Sequence, residues 1–310
     1  MEVVGLGGKI RPFSLVVCVS LALLIFSVLI FQVAQASSSS PDGYTSHAAI
    51  YIASNDDFVI GQNGVTGGTG TQSDPYIIEN WAIDALGGNG IDIRNTTAYF
   101  VVRNCLVENS EVYYGICLEN VVNGMIDNNI CENNYWHGIY DNCGSNNVLA
   151  NNTCRNNWNG IYEDGSSYVN LANNTCENNH NGIILWPSFN DNLTNNNCSN
   201  NSWGIYLFGS SSNTLSGNTS SNNDNYGIYL DNSDNNTLSN NTCRNNGNGD
   251  IYQNTSSTGN VLSNNITTST TPWVWIGVGI AVVVIIAAEI LVLMRRRVTY
   301  RFDKNAYCYW

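Results

Sequence analysis

The stretch Gly227-Ile-Tyr-Leu-Asp-Asn-Ser-Asp-Asn-Asn-Thr-Leu-Ser-Asn-Asn-Thr-Cys-Arg-Asn-Asn, residues 227–246, decides the fold. Its apolar residues alternate over two to four positions and are then interrupted by Asn and Ser. That is the pattern of short strands, not of helices. Asn and Gly tolerate left-handed backbone angles, so the interruptions are turns. The unit is also too short, and too rich in Asn and Gly, for a helical hairpin.

The unit recurs. Gly-Ile stands at Gly90, Gly115, Gly138, Gly160, Gly182, Gly204 and Gly227, at intervals of 25, 23, 22, 22, 22 and 23 residues, and an eighth coil starts at Asp250-Ile251. Aligned units give columns. Ile91, Ile116, Ile139, Ile161, Ile183, Ile205, Ile228 and Ile251 form one, and Phe100, Ile126, Leu149, Leu171, Leu193, Leu215 and Leu238 a second. A third is Cys105, Cys131, Cys154, Cys176, Cys198 and Cys243, with Ser220 filling the missing rung, and a fourth runs from Asn129 through Asn152, Asn174, Asn196 and Asn218 to Asn241. A period of this length means a solenoid whose coils are stable only against their neighbours.

The expected fold is therefore all-β: a right-handed parallel β-helix of about eight coils of 22–25 residues. Equivalent strands stack at roughly 4.8 Å, which makes a rod of roughly 40 Å. Apolar columns become core and Asn columns become amide ladders. Open ends of the stack need caps, and residues 47–89 are assigned to the N-terminal cap and first turns.

Charge and hydropathy place the flanks. Between Ser37 and Pro272 there are 21 Asp and Glu against four Arg and no Lys. That balance excludes nucleic acid and anionic lipid as partners of the middle of the chain. Lys9 and Arg11 precede an apolar run from Phe13 to Phe31, followed by Ala34-Gln35-Ala36. Residues 1–36 read as a secretory signal peptide or an uncleaved N-terminal anchor helix. After a linker at 37–46, the β-helix occupies 47–266 and a second linker 267–272. Residues 273–294 are apolar and long enough to span a bilayer. Trp273 and Trp275 stand at one end and Arg295-Arg296-Arg297 at the other. This predicts a single-pass helix with the β-helix outside and residues 295–310 in the cytoplasm. Glu289, near the basic end, snorkels or pairs with an arginine.

The units resemble the repeats of NosD-type proteins and of the wider carbohydrate-binding and sugar-hydrolase β-helix group. Gly67-Gly68-Thr69-Gly70-Thr71 with Asp74-Pro75-Tyr76-Ile77-Ile78 resembles the start of this domain in many archaeal surface proteins. The resemblance covers residues 47–266. It implies the fold strongly and function weakly, because this scaffold hosts lyases, hydrolases, adhesins and maturation factors. NosD itself implies a periplasmic role in copper-site assembly, and no residue here carries that role over specifically.

Three features carry candidate chemistry. First, the thiol column reads as buried free cysteines, because stacked Cβ vectors point the same way and suit disulfides badly. Cys131, Cys154, Cys176 and Cys198 are also soft ligands that Cu(I) favours. Cys117 and Cys143 fall outside the column. Second, Tyr140, Tyr162, Tyr206, Tyr229 and Tyr252 follow the core isoleucine, so alternation puts them outside as an aromatic stripe interrupted by Ile184. Trp136 and Trp158 stack nearby, close to His137 and His180. Sugar rings pack on such platforms; the same rings also stabilise a sheet as cross-strand pairs. Third, the strand position of Leu118, Leu185, Leu207 and Leu230 is Asp141 and Glu163 in two adjacent coils, with Asp164 beside it. Two carboxyls roughly 5 Å apart suit glycoside hydrolysis, and several oxygens together suit calcium. The alternative is a local bend that turns these groups, with Glu119 and Asp231, to solvent.

Sequons stand at Asn95, Asn151, Asn173, Asn192, Asn197, Asn200, Asn218, Asn235, Asn240, Asn254 and Asn265, of which turn positions such as Asn235 suit glycosylation best. The functional expectation is a non-catalytic, membrane-anchored surface protein that binds a polysaccharide or a surface protein. The alternatives are a polysaccharide-acting hydrolase or lyase using Asp141, Glu163 and Asp164, and a NosD-like accessory protein for copper delivery. No Arg or Lys joins the acidic cluster to serve as a lyase base.

Overall fold

The structure is a computed structural model, and it describes residues 43–268. The chain divides into two units, Met1–Ser46 and His47–Trp310. In the second, every coil contributes one strand to each of three parallel sheets, and the coils wind right-handed. The first sheet has nine strands, from Ile50–Ile52 and Ile91–Thr96 to Tyr226–Asp231 and Gly249–Gln253. The second has ten, from Val65–Gly67 and Tyr76–Glu79 to Val261–Ser263. The third runs from Trp81–Asp84 to Ile266–Thr267. Val65–Gly67 lies antiparallel to Tyr76–Glu79 and closes the N-terminal edge of the second sheet. Among the described residues no helix is long and apolar enough to cross a membrane. The signal segment and the segment 273–294 lie outside the described residues.

Register follows the columns. Ile116, Ile139, Ile161, Ile183, Ile205 and Ile228 stand directly over one another, as do Leu149, Leu171, Leu193, Leu215 and Leu238. All are fully buried. Two assignments are corrected in the early, longer coils. Val102, not Phe100, is opposite Ile126, and Phe100 faces Gly124. Val107, not Cys105, is opposite Cys131. Cys105 instead sits where the Asn129 ladder begins, and its backbone N–H donates to Asn129 Oδ1.

Each Asn-Asn pair does two jobs. The first residue turns the chain: Asn128, Asn151, Asn173, Asn195 and Asn240 all have φ between 54° and 57° and lie exposed. The second is buried. Asn174, for example, receives the backbone N–H and Nδ2–H of Asn152 at 3.0 Å each. It donates its own Nδ2–H to Leu149 O at 2.8 Å and to Asn196 Oδ1 at 3.0 Å. A second ladder of this kind runs through Asn134, Asn157, Asn179, Asn201, Asn223 and Asn246 at the next corner. The sequons at Asn151, Asn173 and Asn240 are therefore exposed turn residues, whereas Asn218 is closed off inside the ladder.

The Gly-Ile motif and the thiol column explain one another. A Cβ on Gly160 would come within 2.8 Å of Cys176 Sγ, and one on Gly182 within 3.0 Å of Cys198 Cβ. The glycine leaves the space that the sulfur fills.

Removing one ladder amide strands several buried groups at once. Asn174→Ala leaves the backbone N–H and one Nδ2–H of Asn152 and the carbonyl of Leu149 without this partner, at about 1–3 kcal/mol each. Asn173→Gly, at the left-handed turn beside it, should cost a few tenths at most. Urea-denaturation midpoints of the two variants should separate widely, with only Asn174→Ala strongly shifted.

Candidate functional site

The first sheet presents three outward columns. One precedes the core glycine and holds Tyr114, His137, Asn159, Asn181, Trp203 and Tyr226. The next follows the core isoleucine: Cys117, Tyr140, Tyr162, Ile184, Tyr206, Tyr229 and Tyr252. The last includes Glu119, Asn142, Asp164 and Trp186. The tyrosine stripe thus faces outward, but all of its members except Tyr252 are half-buried against each other. Cys117 takes the rung before Tyr140 and is buried, while Cys143 is an exposed turn residue. Buried Ile184 splits the stripe into two clusters.

The first cluster surrounds a cleft of about 300 Å³, lined by Tyr114, Trp136, His137, Tyr140, Trp158, Asn159, Tyr162 and Asp164. His137 lies flat between Tyr114 and Tyr162, with ring centres 5.0 and 4.8 Å away. Trp136 and Trp158 meet edge to face at 6.1 Å rather than stacking, and both are well exposed. His180 stacks on Trp158 at 4.2 Å. Asn159 Nδ2 donates to His137 Nδ1 at 3.0 Å. Burial pulls the His137 pKa down to about 4, so the ring is neutral at physiological pH. The Tyr140 hydroxyl donates to Asp164 Oδ2 at 3.1 Å. Burial first, and the Asp164 charge second, hold the Tyr140 and Tyr162 phenols above their ordinary range, so both remain donors. Tyr114 and Asn159 complete the cleft and were not singled out in the sequence. Their column changes residue type at almost every rung, which hides it from a repeat search.

Asp141 and Glu163 are not at this surface. Both are 0% exposed and point into the core, in register with each other and with Leu118 and Leu185. The expected bend to solvent does not occur: strand pairing continues without a bulge, so the leucine position stays inward. Asp164, Glu119 and Asp231 lie on the outer face, so the acidic residues do not share one site. Asp141 Oδ2 accepts from Asn147 Nδ2 at 2.8 Å. Among the described residues, Asp141 Oδ1, both Glu163 oxygens, Ser188 Oγ and one oxygen of buried Asp191 have no hydrogen-bond partner. Burial drives the carboxyl pKa of Asp141 and Glu163 upward, and their proximity prevents both from ionising together. Burial also raises Asp191 to about 7. Asp191 occupies a rung that continues as Asn213 and Asn236, whose Nδ2 groups donate to carbonyls of the previous coil. Only the protonated acid offers a donor in place of that amide.

A model of the periplasmic copper-binding protein (NosD) family matches residues 32–215, more than half the sequence. The chain belongs to the NosD family. A right handed beta helix region model matches residues 158–284. Among solved structures, a mutant of the periplasmic alginate epimerase AlgG is similar at 20% identity and TM-score 0.56, over 62% of this chain and 50% of that one. The A-module of a mannuronan C-5 epimerase from Azotobacter vinelandii follows at 16% identity and TM-score 0.54, over 63% and 62%. A pectate lyase is similar at 12% identity and TM-score 0.50, over 76% and 72%. These likenesses establish the fold, and the chain spans half the length of AlgG. No curated protein matches the chain.

The family description implies copper, and the described residues do not fit it. Cys131, Cys154, Cys176 and Cys198 are stacked in register but are 0% exposed. A cysteine ligates copper(I) as its thiolate. The Cys154 and Cys176 thiols are pushed up by S–H hydrogen bonds along the column and then by burial, and Cys198 by burial. Among the described residues no three His, Cys, Asp or Glu side chains converge to hold a metal ion, which applies equally to calcium at Asp141 and Glu163.

The buried acids set a pH dependence. With folded pKa values raised, their contribution to stability is complete below the ordinary carboxylate range and is lost as pH rises, through about 7 for Asp141 and Asp191 and through the raised range of Glu163. Glu163→Leu, which restores the neighbouring residue type, should stabilise the chain by about 1–4 kcal/mol. Denaturation midpoints measured from acid to neutral pH should fall less steeply in this variant than in the native chain.

Proposed function

We propose that this NosD-family chain is a membrane-anchored surface protein that binds a glycan in the aromatic cleft between Tyr114 and Asp164. The cleft itself carries the reading: the exposed indoles of Trp136 and Trp158 stand beside phenol, amide and carboxylate groups in about 300 Å³. Sugars need that combination, with flat apolar faces for their C–H surfaces and polar groups for their hydroxyls. The shared fold with polysaccharide-acting proteins supports it. The role is non-catalytic on this reading, because Asp164 is the one carboxylate lining the cleft and an acid pair is needed for glycoside hydrolysis. The C-terminal tyrosine cluster, from Trp203 to Tyr252, extends the binding face along the rod.

Glycan-array binding by the full-length chain in detergent tests this. Trp136→Ala and Trp158→Ala should each weaken binding by about tenfold, equivalent to about 1.4 kcal/mol. Tyr168→Ala, an exposed ring outside the cleft, should leave it unchanged. Binding that survives both tryptophan changes counts against the cleft.

The anchor is the segment 273–294, with the cleft on the outer side of the membrane. Protease added to intact cells should remove the β-helix and leave the arginine-flanked tail protected. An intact β-helix after such treatment counts against this orientation.

A further inference from the structure

The charge of the cleft is specific, and it differs in kind from what a polyuronate requires. Asp164 is the only formally charged side chain that lines it. Its Oδ2 is engaged by Tyr140, and Oδ1 accepts no hydrogen bond among the described residues. His137 is buried, neutral and hydrogen-bonded at Nδ1. No lysine occurs among the described residues, and none of the four arginines lines the cleft. Arg94 is held by Asp92 at 2.7 Å and Glu119 at 2.6 Å, Arg103 by Glu79 at 2.7 Å, and Arg155 by Glu132. Arg244 lies on the third sheet.

Against that charge stand five aromatic rings, Tyr114, Trp136, Tyr140, Trp158 and Tyr162. Ring faces attract cations and repel anions, and indole does so most strongly. The formal net charge of −13 adds a long-range term of the same sign. A carboxylate-bearing sugar would enter without a counter-ion. A protonated amine would meet ring faces and the open oxygen of Asp164.

We infer that the cleft takes a glycan bearing free amino groups, a polymer of 2-amino-2-deoxyhexose units, in preference to a polyuronate. The inference rests on the glycan reading above and specifies its ligand. The alginate and pectate acted on by the structurally similar alginate epimerase and pectate lyase are polyanions, so on this reading the shared fold serves a surface of opposite charge demand here.

The test is calorimetric titration of the full-length chain in detergent with three oligosaccharides of equal length. These are a glucosamine oligomer, its N-acetylated counterpart, and a mannuronate oligomer, at mildly acidic pH where the amine is protonated. The glucosamine oligomer should bind about tenfold tighter than the N-acetylated form, from cation–π and charge-assisted contacts. Its advantage should shrink with added salt. Asp164→Asn keeps an acceptor for Tyr140 and should remove most of the preference, bringing the affinity for the glucosamine oligomer down to that for the N-acetylated one, whereas Tyr168→Ala, outside the cleft, should leave the preference intact. Equal or tighter binding of the N-acetylated or mannuronate oligomer overturns the inference and leaves the glycan reading standing. Full preference retained in Asp164→Asn also overturns it. Absence of binding by all three overturns the inference together with the reading beneath it.

Discussion

The buried amide ladder is the interaction on which the rest of this molecule depends. A parallel coil must turn sharply three times, and each turn carries backbone N–H and C=O groups into the interior, where an unpaired group is expensive. At one corner Ser hydroxyls with Asn and Asp side chains resolve this, and at the other two it is an asparagine in successive coils. Its Oδ1 accepts from the coil before it, and its Nδ2 donates to a carbonyl there and to the amide ahead. The geometry works only if successive rungs sit at strand spacing and in register. The ladder therefore sets the coil length as well as stabilising it. It also explains why a chain with few large apolar side chains per coil folds at all: the core is slim, one isoleucine, two leucine columns and one thiol column, and the corners are polar but paired.

This division fixes where variation can occur. Inside, the columns hardly change, because each residue has the same neighbours above and below. Outside, the columns change freely, and the cleft arises where Tyr, His and Trp coincide on three successive rungs. The exception is the pair Asp141 and Glu163. They sit inward with three of their four carboxyl oxygens unpaired among the described residues, which a column of leucines would avoid, and with Asp191 they make the stability of this stretch of core depend on protonation. They neighbour Tyr140 and Tyr162 in sequence but face the opposite way, so they support no chemistry at the cleft.

Much of this was legible in the sequence for a physical reason: a strict repeat reports three-dimensional neighbours directly. The Gly-Ile, leucine, cysteine and asparagine columns are contacts read as spacings. The misplacements of Phe100 and Cys105 fall in the longer coils, where an added residue shifts the alignment and only strand pairing restores it. The direction of Asp141 was fixed by parity, since it lies two residues after Ile139. The cost of burying a carboxyl argued for a bend, but the energy of continuous pairing on both sides, with protonation of the acid, wins over that cost. Tyr114 and Asn159 were illegible because their column has no constant residue type to align.

Family membership and the cleft carry different information, and the difference is physical. The ladder and core are what any chain of this fold must keep. The outer face is where a substitution costs little stability and so leaves little trace in a repeat. Copper-related function in the family therefore need not reside in the thiol column, whose sulfurs are buried and placed by packing against the Gly-Ile glycines. Ser220 makes the point within this chain. It replaces one sulfur in the column, fills the space beside Gly204, and satisfies its hydroxyl by donating to Gly227 O at 2.7 Å. A rung that accepts Ser for Cys on steric terms is answering to volume and hydrogen bonding, not to ligation of a soft metal.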